Sequence, residues 1–359
     1  MFVWSALPRS LNATFRDIGN SKPAVRLSAV QDLVRWSSSS ERARCIGQLV
    51  DTLKSDRDVD VRAAAALALA DAEAHEALAD VMATAEQGPP RLRQMALVAV
   101  GELAVPGFAP ALALARTALS SDMPALRFQA LVAASRLMTA EELVAELLTA
   151  LNDEEAKLRY LACRIAEERC FEAATATSAP RDLRERFEQL LIDPDVGVAI
   201  ASALVLARRG SERARALLIR ELNRRGSFAH QDDEQAAIEL CADLSLDRAR
   251  PGLEARAFGG LFGSGSSLAF QARVALARLG DERAVAQILE GLSSWSRALR
   301  AQAVAAAGQA KLQAARARLI QLQREDRRLD RRSLAEAIAS IDGAATGHQN
   351  PLVTPRREY

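Results

Sequence analysis

Histidine is almost missing from this sequence of 359 residues: His75, His230 and His348 are the only three. Only His75 stands beside an acidic residue, Glu76. Metal centres built from repeated His and carboxylate ligands, and proton relays built on imidazole, lack their raw material. Cysteine is nearly as scarce. Cys45, Cys163, Cys170 and Cys241 show no CxxC spacing and sit among Ala, Leu and Ile, where a thiol serves as a small buried hydrophobe. Aromatic residues make up only 4%, so the apolar content is mostly aliphatic. No run approaches the roughly 18 apolar residues needed to span a bilayer. The start, MFVWSALPRSLNATF, has no basic stretch leading into an apolar one, so a cytoplasmic protein without a membrane anchor is expected. Neither charge sign dominates. With 47 basic and 46 acidic residues the net charge is +1, so the chain as a whole has no electrostatic reason to seek nucleic acid or anionic lipid. Only four basic residues are lysine; the preference for arginine fits a GC-rich genome.

What is abundant is small and aliphatic. Hydrophobic residues reach 49%, mostly Ala, Leu and Val, the set that packs helices closely. An apolar-Arg-x-x-Ala phrase recurs through the chain: VRLSA at 25, VRAAA at 61, LRQMA at 92, LRFQA at 126, LRYLA at 158 and LRAQA at 299. Degenerate copies start at Val198, Ala236 and Leu268, where Ala199, Ala237 and Ala269 replace the arginine, and a worn copy lies near Asp330. A period in the thirties signals stacked supersecondary units. Counting the first apolar residue of each copy as position 0, small or apolar residues fall at 0, 4, 8 and 11, as in Leu126, Ala130, Ala134 and Leu137. That spacing is one face of a helix. About fifteen residues earlier a second apolar helix recurs, as in Ile46, Leu49, Val50 and Leu53 or Leu143, Leu147, Leu148 and Leu151. Each unit is a helical hairpin. Its inner turn carries helix-starting chemistry: Asp56, Asp58 and Asp60 before Val61, Pro124 before Leu126, Asp193 and Asp195 before Val198.

The phrase LGDERAV at 279, with the recurring hairpins, resembles the bacterial HEAT-like repeats of the phycobilisome-lyase type, over residues 5 to 342. The resemblance implies an all-α solenoid of about nine to ten HEAT-type hairpins forming a curved superhelix. It implies further that the arginine at position 1 pairs with aspartates of neighbouring turns as a ladder: Arg26, Arg62, Arg93, Arg127, Arg159 and Arg300. Two irregular stretches, Ala173 to Pro180 and Arg224 to Asp233, coincide with the longest spacings. The first divides the array into halves, 1–172 and 181–342; the residues 343–359, without periodicity, read as a disordered tail.

Enzymes are known on this fold, and each needs residues that can be sought. Di-iron hydroxylases need several His-Glu pairs, and His75-Glu76 is a single one on a helix start. A glycosylase needs a basic groove with clustered tryptophans, whereas Trp4, Trp36 and Trp295 lie in distant repeats and Trp36 falls at a core position. Gly259, Gly260, Gly263 and Gly265 precede a helix, but no lysine follows as in a P-loop. No cofactor or metal is implied.

One surface signal remains. Position 2 points roughly 160° from the core at 100° per residue and should be polar. Instead five consecutive repeats carry Phe128, Tyr160, Ile200, Ile238 and Phe270 there, with Arg136, Arg208 and Arg278 at position 10. In register, they would line a groove for a partner helix or extended segment; a slip of one residue in the degenerate copies would return them to the core. The expected function is a protein-binding scaffold or adaptor. The alternatives are a lyase or other protein-modifying enzyme of the phycobilisome-lyase type and, third, nucleic-acid binding.

Overall fold

The computed structural model describes residues 9–38, 40–172, 180–224, 228–259, 268–326 and 328–347. Among them are twenty α-helices and no strand, as the 3.6-residue pattern requires. The chain divides into two compact units, Met1–Phe187 and Glu188–Tyr359. The first holds α1 (Leu11–Ile18) and α2 (Pro23–Trp36), α3 (Arg42–Ser55) and α4 (Val59–Asp71), α5 (Leu78–Gln87) and α6 (Pro90–Leu103), α7 (Ala109–Leu119) and α8 (Pro124–Leu137), α9 (Ala140–Ala150) and α10 (Ala156–Ala166). A π-helical turn, Glu167–Glu172, extends α10. The division falls inside α11 (Arg181–Leu190) rather than in the stretch from 173 to 180, of which only Pro180 is among the described residues. The second unit continues with α12 (Val196–Ala207), then α13 (Glu212–Asn223) and α14 (Gln231–Asp243), α15 (Arg250–Phe258) and α16 (Ala269–Arg278), α17 (Glu282–Gly291) and α18 (Arg297–Gln309), α19 (Arg316–Glu325) and α20 (Arg331–Gly347). Because α20 reaches Gly347, the stretch from 343 to 359 begins as helix.

In each unit the even-numbered helices pack on one another in sequence and form an inner layer. Positions 0, 4, 8 and 11 supply its core: Leu126, Ala130, Ala134 and Leu137 are buried. Alanines let these helices approach closely. A Cβ on Gly101 would stand 3.1 Å from Ala133 Cα, and one on Gly308 would stand 2.8 Å from Ala337 Cα, so glycine at position 9 sets the spacing to the following inner helix. The turn carboxylates act as expected at helix starts: Asp58 accepts from the Val61 N–H at 3.1 Å and Asp195 from the Val198 N–H at 3.0 Å.

The degenerate copy at Ala236 is misplaced by three residues. On α14 the buried residues are Asp233, Ala237, Ile238, Leu240, Cys241 and Ala242, which places position 0 at Asp233 and Ile238 at position 5. Asp233 stands 35 residues after Val198 and 35 before Leu268, evening the two spacings. The backbone agrees. At position 12 the chain adopts a left-handed turn at Glu73 (φ 50°), Gly210 (φ 89°), Gly280 (φ 75°) and Lys311 (φ 53°), and in the corrected register at Ser245 (φ 52°). An aspartate at a core position is what hid the repeat.

Candidate protein-interaction surfaces

The five residues expected as one stripe do not share one environment. Ile200 is 2% exposed, on a helix buried all round from Gly197 to Ala207, and Ile238 is fully buried at position 5. Neither can meet a partner, and the expectation for these two is corrected: burial overrides the helical wheel for Ile200, and the register slip for Ile238. Phe128 on α8 and Tyr160 on α10, successive inner helices of the first unit, are half-buried at equivalent positions. Phe270, on α16 of the second unit, is half-buried as well.

Arg136 and Arg278, at position 10, are bound within the layer. Arg136 pairs with Glu102, and Arg278 Nη2 lies 2.6 Å from Asp243 Oδ1. Glu102 and Asp243 occupy position 10 of the preceding inner helices. Charges of opposite sign therefore meet side by side across the layer, so Arg136 and Arg278 tie helices together. Arg208 is exposed on the end of α12.

The position 1 arginines divide into two kinds. Arg26 grips Asp56 with two hydrogen bonds of 2.8 Å, Arg127 grips Asp153 with two of 2.8 Å, and Arg300 reaches Asp326 at 3.0 and 2.8 Å. Each aspartate lies in the turn of the next hairpin and also accepts the backbone N–H two residues on, at 2.8, 2.9 and 2.9 Å. Burial opposes ionisation of Asp56 and Asp153, but the guanidinium and the N–H outweigh it and hold both below the usual carboxylate range. Arg159 donates to the carbonyls of Asp153 and Glu154 at 2.8 and 3.0 Å. Arg62 and Arg93 instead reach back to Leu53 O at 2.8 Å and Ala85 O at 3.0 Å, ends of their own outer helices. Where α14 carries Glu234 at position 1, the charge is inverted. Arg256 of α15 binds Glu234 at 2.6 Å and donates to Leu222 O at 2.6 Å, so the equivalent carbonyl is still satisfied.

In the second unit a cleft of about 590 Å³ lies beside Phe270. Phe258, Phe270 and Leu299 give it apolar walls, and Arg273, Arg283 and Glu290 supply charge. The Arg283 guanidinium lies 4.0 Å above the Phe258 ring. A second groove of about 530 Å³ in the first unit runs beside Met82 and Phe108. His75 sits at its end, in a single 3₁₀ turn rather than an α-helix start, with Nδ1 2.8 Å from Leu103 O, and Glu76 lies 3.5 Å from Arg42. Among the described residues no three His, Cys, Asp or Glu converge as a metal site, and no helix is long and apolar enough to cross a membrane. Of the glycine cluster, Gly260, Gly263 and Gly265 lie outside the described residues, as do Trp4 and His348. All four cysteines are buried, and burial pushes the Cys241 thiol up to about 12, so it stays protonated.

No family model matches this chain, and no curated protein matches it in sequence. Among solved structures, the X-ray structure of YibA from Escherichia coli is similar over 76% of this chain and 93% of that one, with a TM-score of 0.53 and 17% identity. The fold is a HEAT-like helical-repeat solenoid. At that identity the likeness carries the fold alone.

Two features escaped the sequence. The acidic members of the position 10 row, Glu102 and Asp243, were legible once Arg136 and Arg278 were placed opposite them. Leu299, at a core position yet 53% exposed, and Trp295, 95% exposed in the turn before α18, gave no signal, because exposure there depends on how neighbouring hairpins meet.

Proposed function

We propose that this chain is a scaffold or adaptor whose inner helices bind another protein. The observation that carries it is the pair Phe128 and Tyr160: equivalent positions of successive inner helices present half-buried aromatic rings where a solvated face calls for polar residues. Aromatic side chains of this kind are the usual anchors of protein interfaces. A helical-repeat fold supports the reading in general terms, since such arrays present extended side-chain surfaces.

The test is affinity capture from the source cell with the wild-type chain, a Phe128→Glu, Tyr160→Glu variant, and an Ala130→Glu control. Ala130 is fully buried, so a carboxylate there is expected to unfold the hairpin locally and lower the melting temperature. The double variant is expected to keep its melting temperature and to lose the captured protein. Equal loss of stability in both would assign Phe128 and Tyr160 to packing and sink the reading for this surface.

A further inference from the structure

Every described inner helix from α2 to α14, and α18, begins two residues ahead of its position 0. Helix α16 is described from Ala269, with Leu268 of position 0 at its N-cap; residues 260–267 lie outside the described ones. Val61, Leu92, Leu126, Leu158, Val198 and Leu268 at position 0 are buried to within 2%, while Leu299 at the same position of α18 is 53% exposed. A residue at a core position thus stands exposed in the wall of the cleft beside Phe270.

The cleft also carries unmatched charge. Arg273 donates through Nε to Ala269 O of its own helix at 3.1 Å, and Arg283 rests on the Phe258 ring. Neither has a carboxylate partner among the described residues. Stacking uses the face of a guanidinium and leaves its N–H edge free to bind a carboxylate in the ring plane. Among the described residues that line the cleft Glu290 is the one carboxylate, so the lining carries two cations to one anion. Trp295, fully exposed in the turn between Ser294 of the wall and Leu299, adds apolar surface at the edge.

We propose that this cleft binds an acidic peptide segment carrying a large apolar side chain, the apolar group seated on Phe258, Phe270 and Leu299 and its neighbouring carboxylates held by Arg273 and Arg283. The proposal rests on the scaffold reading and adds the chemistry of one partner segment. A volume of about 590 Å³ is in the range of sites that enclose a drug-sized body, enough for an anchoring side chain and the backbone around it.

The experiment titrates the full chain into three fluorescein-labelled peptides of equal length in Gly-Ser flanks: Asp-Glu-Leu-Phe-Asp-Glu, Lys-Arg-Leu-Phe-Lys-Arg and Asp-Glu-Ser-Ser-Asp-Glu. Anisotropy is expected to show the first bound at least ~10-fold more tightly than the other two, more weakly as salt rises. Arg273→Gln with Arg283→Gln is expected to weaken it ~10-fold or more, and Leu299→Ser ~5-fold, with melting temperatures unchanged. Equal binding of the basic peptide, indifference to the arginine variants, or no binding of any peptide overturns the proposal. So does a Leu299→Ser melting temperature as low as that of Leu126→Ser, which would place Leu299 in the core. The scaffold reading is tested separately: capture that depends on Phe128 and Tyr160 stands even if all three peptides fail, and falls by its own variants.

Discussion

At position 12 of five inner helices one residue must turn left-handed, and the sequence fills that place unevenly. Gly210 and Gly280 adopt it freely, whereas Glu73, Ser245 and Lys311 hold φ near 50° with a side chain that crowds the following carbonyl. Lys311→Gly is therefore expected to stabilise the second unit by about 0.5–1 kcal/mol, the relief of strain exceeding the added freedom of the unfolded chain; the midpoint of urea unfolding checks it. Asp153 is the residue whose charge matters most to one ladder step. Its folded carboxyl lies below the ordinary range because Arg127 and the Glu155 N–H together outweigh desolvation. A depressed carboxylate contributes stability that is present above the unfolded value near ~4 and is lost as pH falls through the folded value. The melting-temperature gap between wild type and Asp153→Asn should hold from about pH 5 upward and close as the solution is made more acidic. A gap that widens in acid would show that Asp153 is not the ionised partner of Arg127.

At the scale of the helix, contacts between hairpins are made by the smallest residues and the best-satisfied carbonyls. Gly252, in the first turn of α15, donates its N–H to Asn223 Oδ1 at 2.8 Å, and a Cβ there would stand 2.2 Å from Leu222 O. No side-chain rotation relieves a clash with backbone. Gly252→Ala is expected to cost about 3 kcal/mol by forcing α15 from α13, read as a lowered melting temperature. The same carbonyl takes the Arg256 hydrogen bond, so Arg256 loses its seat when α15 moves. Elsewhere the elements were plain from the chain: LRFQALVAASRL reads as one helix with a single buried face, and α8 runs Pro124–Leu137. The copy at Asp233 is hidden in the chain because its core position carries a carboxylate and its position 1 a glutamate, the inverse of the apolar-Arg pair of the other copies.

For the molecule, the order of small, apolar and arginine residues repeated along the chain was enough to determine an all-helical repeat, because each hairpin needs its neighbours to cover one apolar face. The same order of residues brings Arg26, Arg127 and Arg300 to the aspartate of the next turn, 26 to 30 residues on, whereas Arg62 and Arg93 at the same position turn to carbonyls of their own hairpins. Which apolar residues remain accessible was decided only by tertiary structure. Ile200 and Phe128 sit at the same helical position, yet one is buried and the other half-buried. Leu299 and Leu126 both stand at position 0, yet Leu299 is 53% exposed and Leu126 fully buried. Exposure is a property of the space between hairpins, which side chains from several elements fill, so neither the residue nor its own helix sets it.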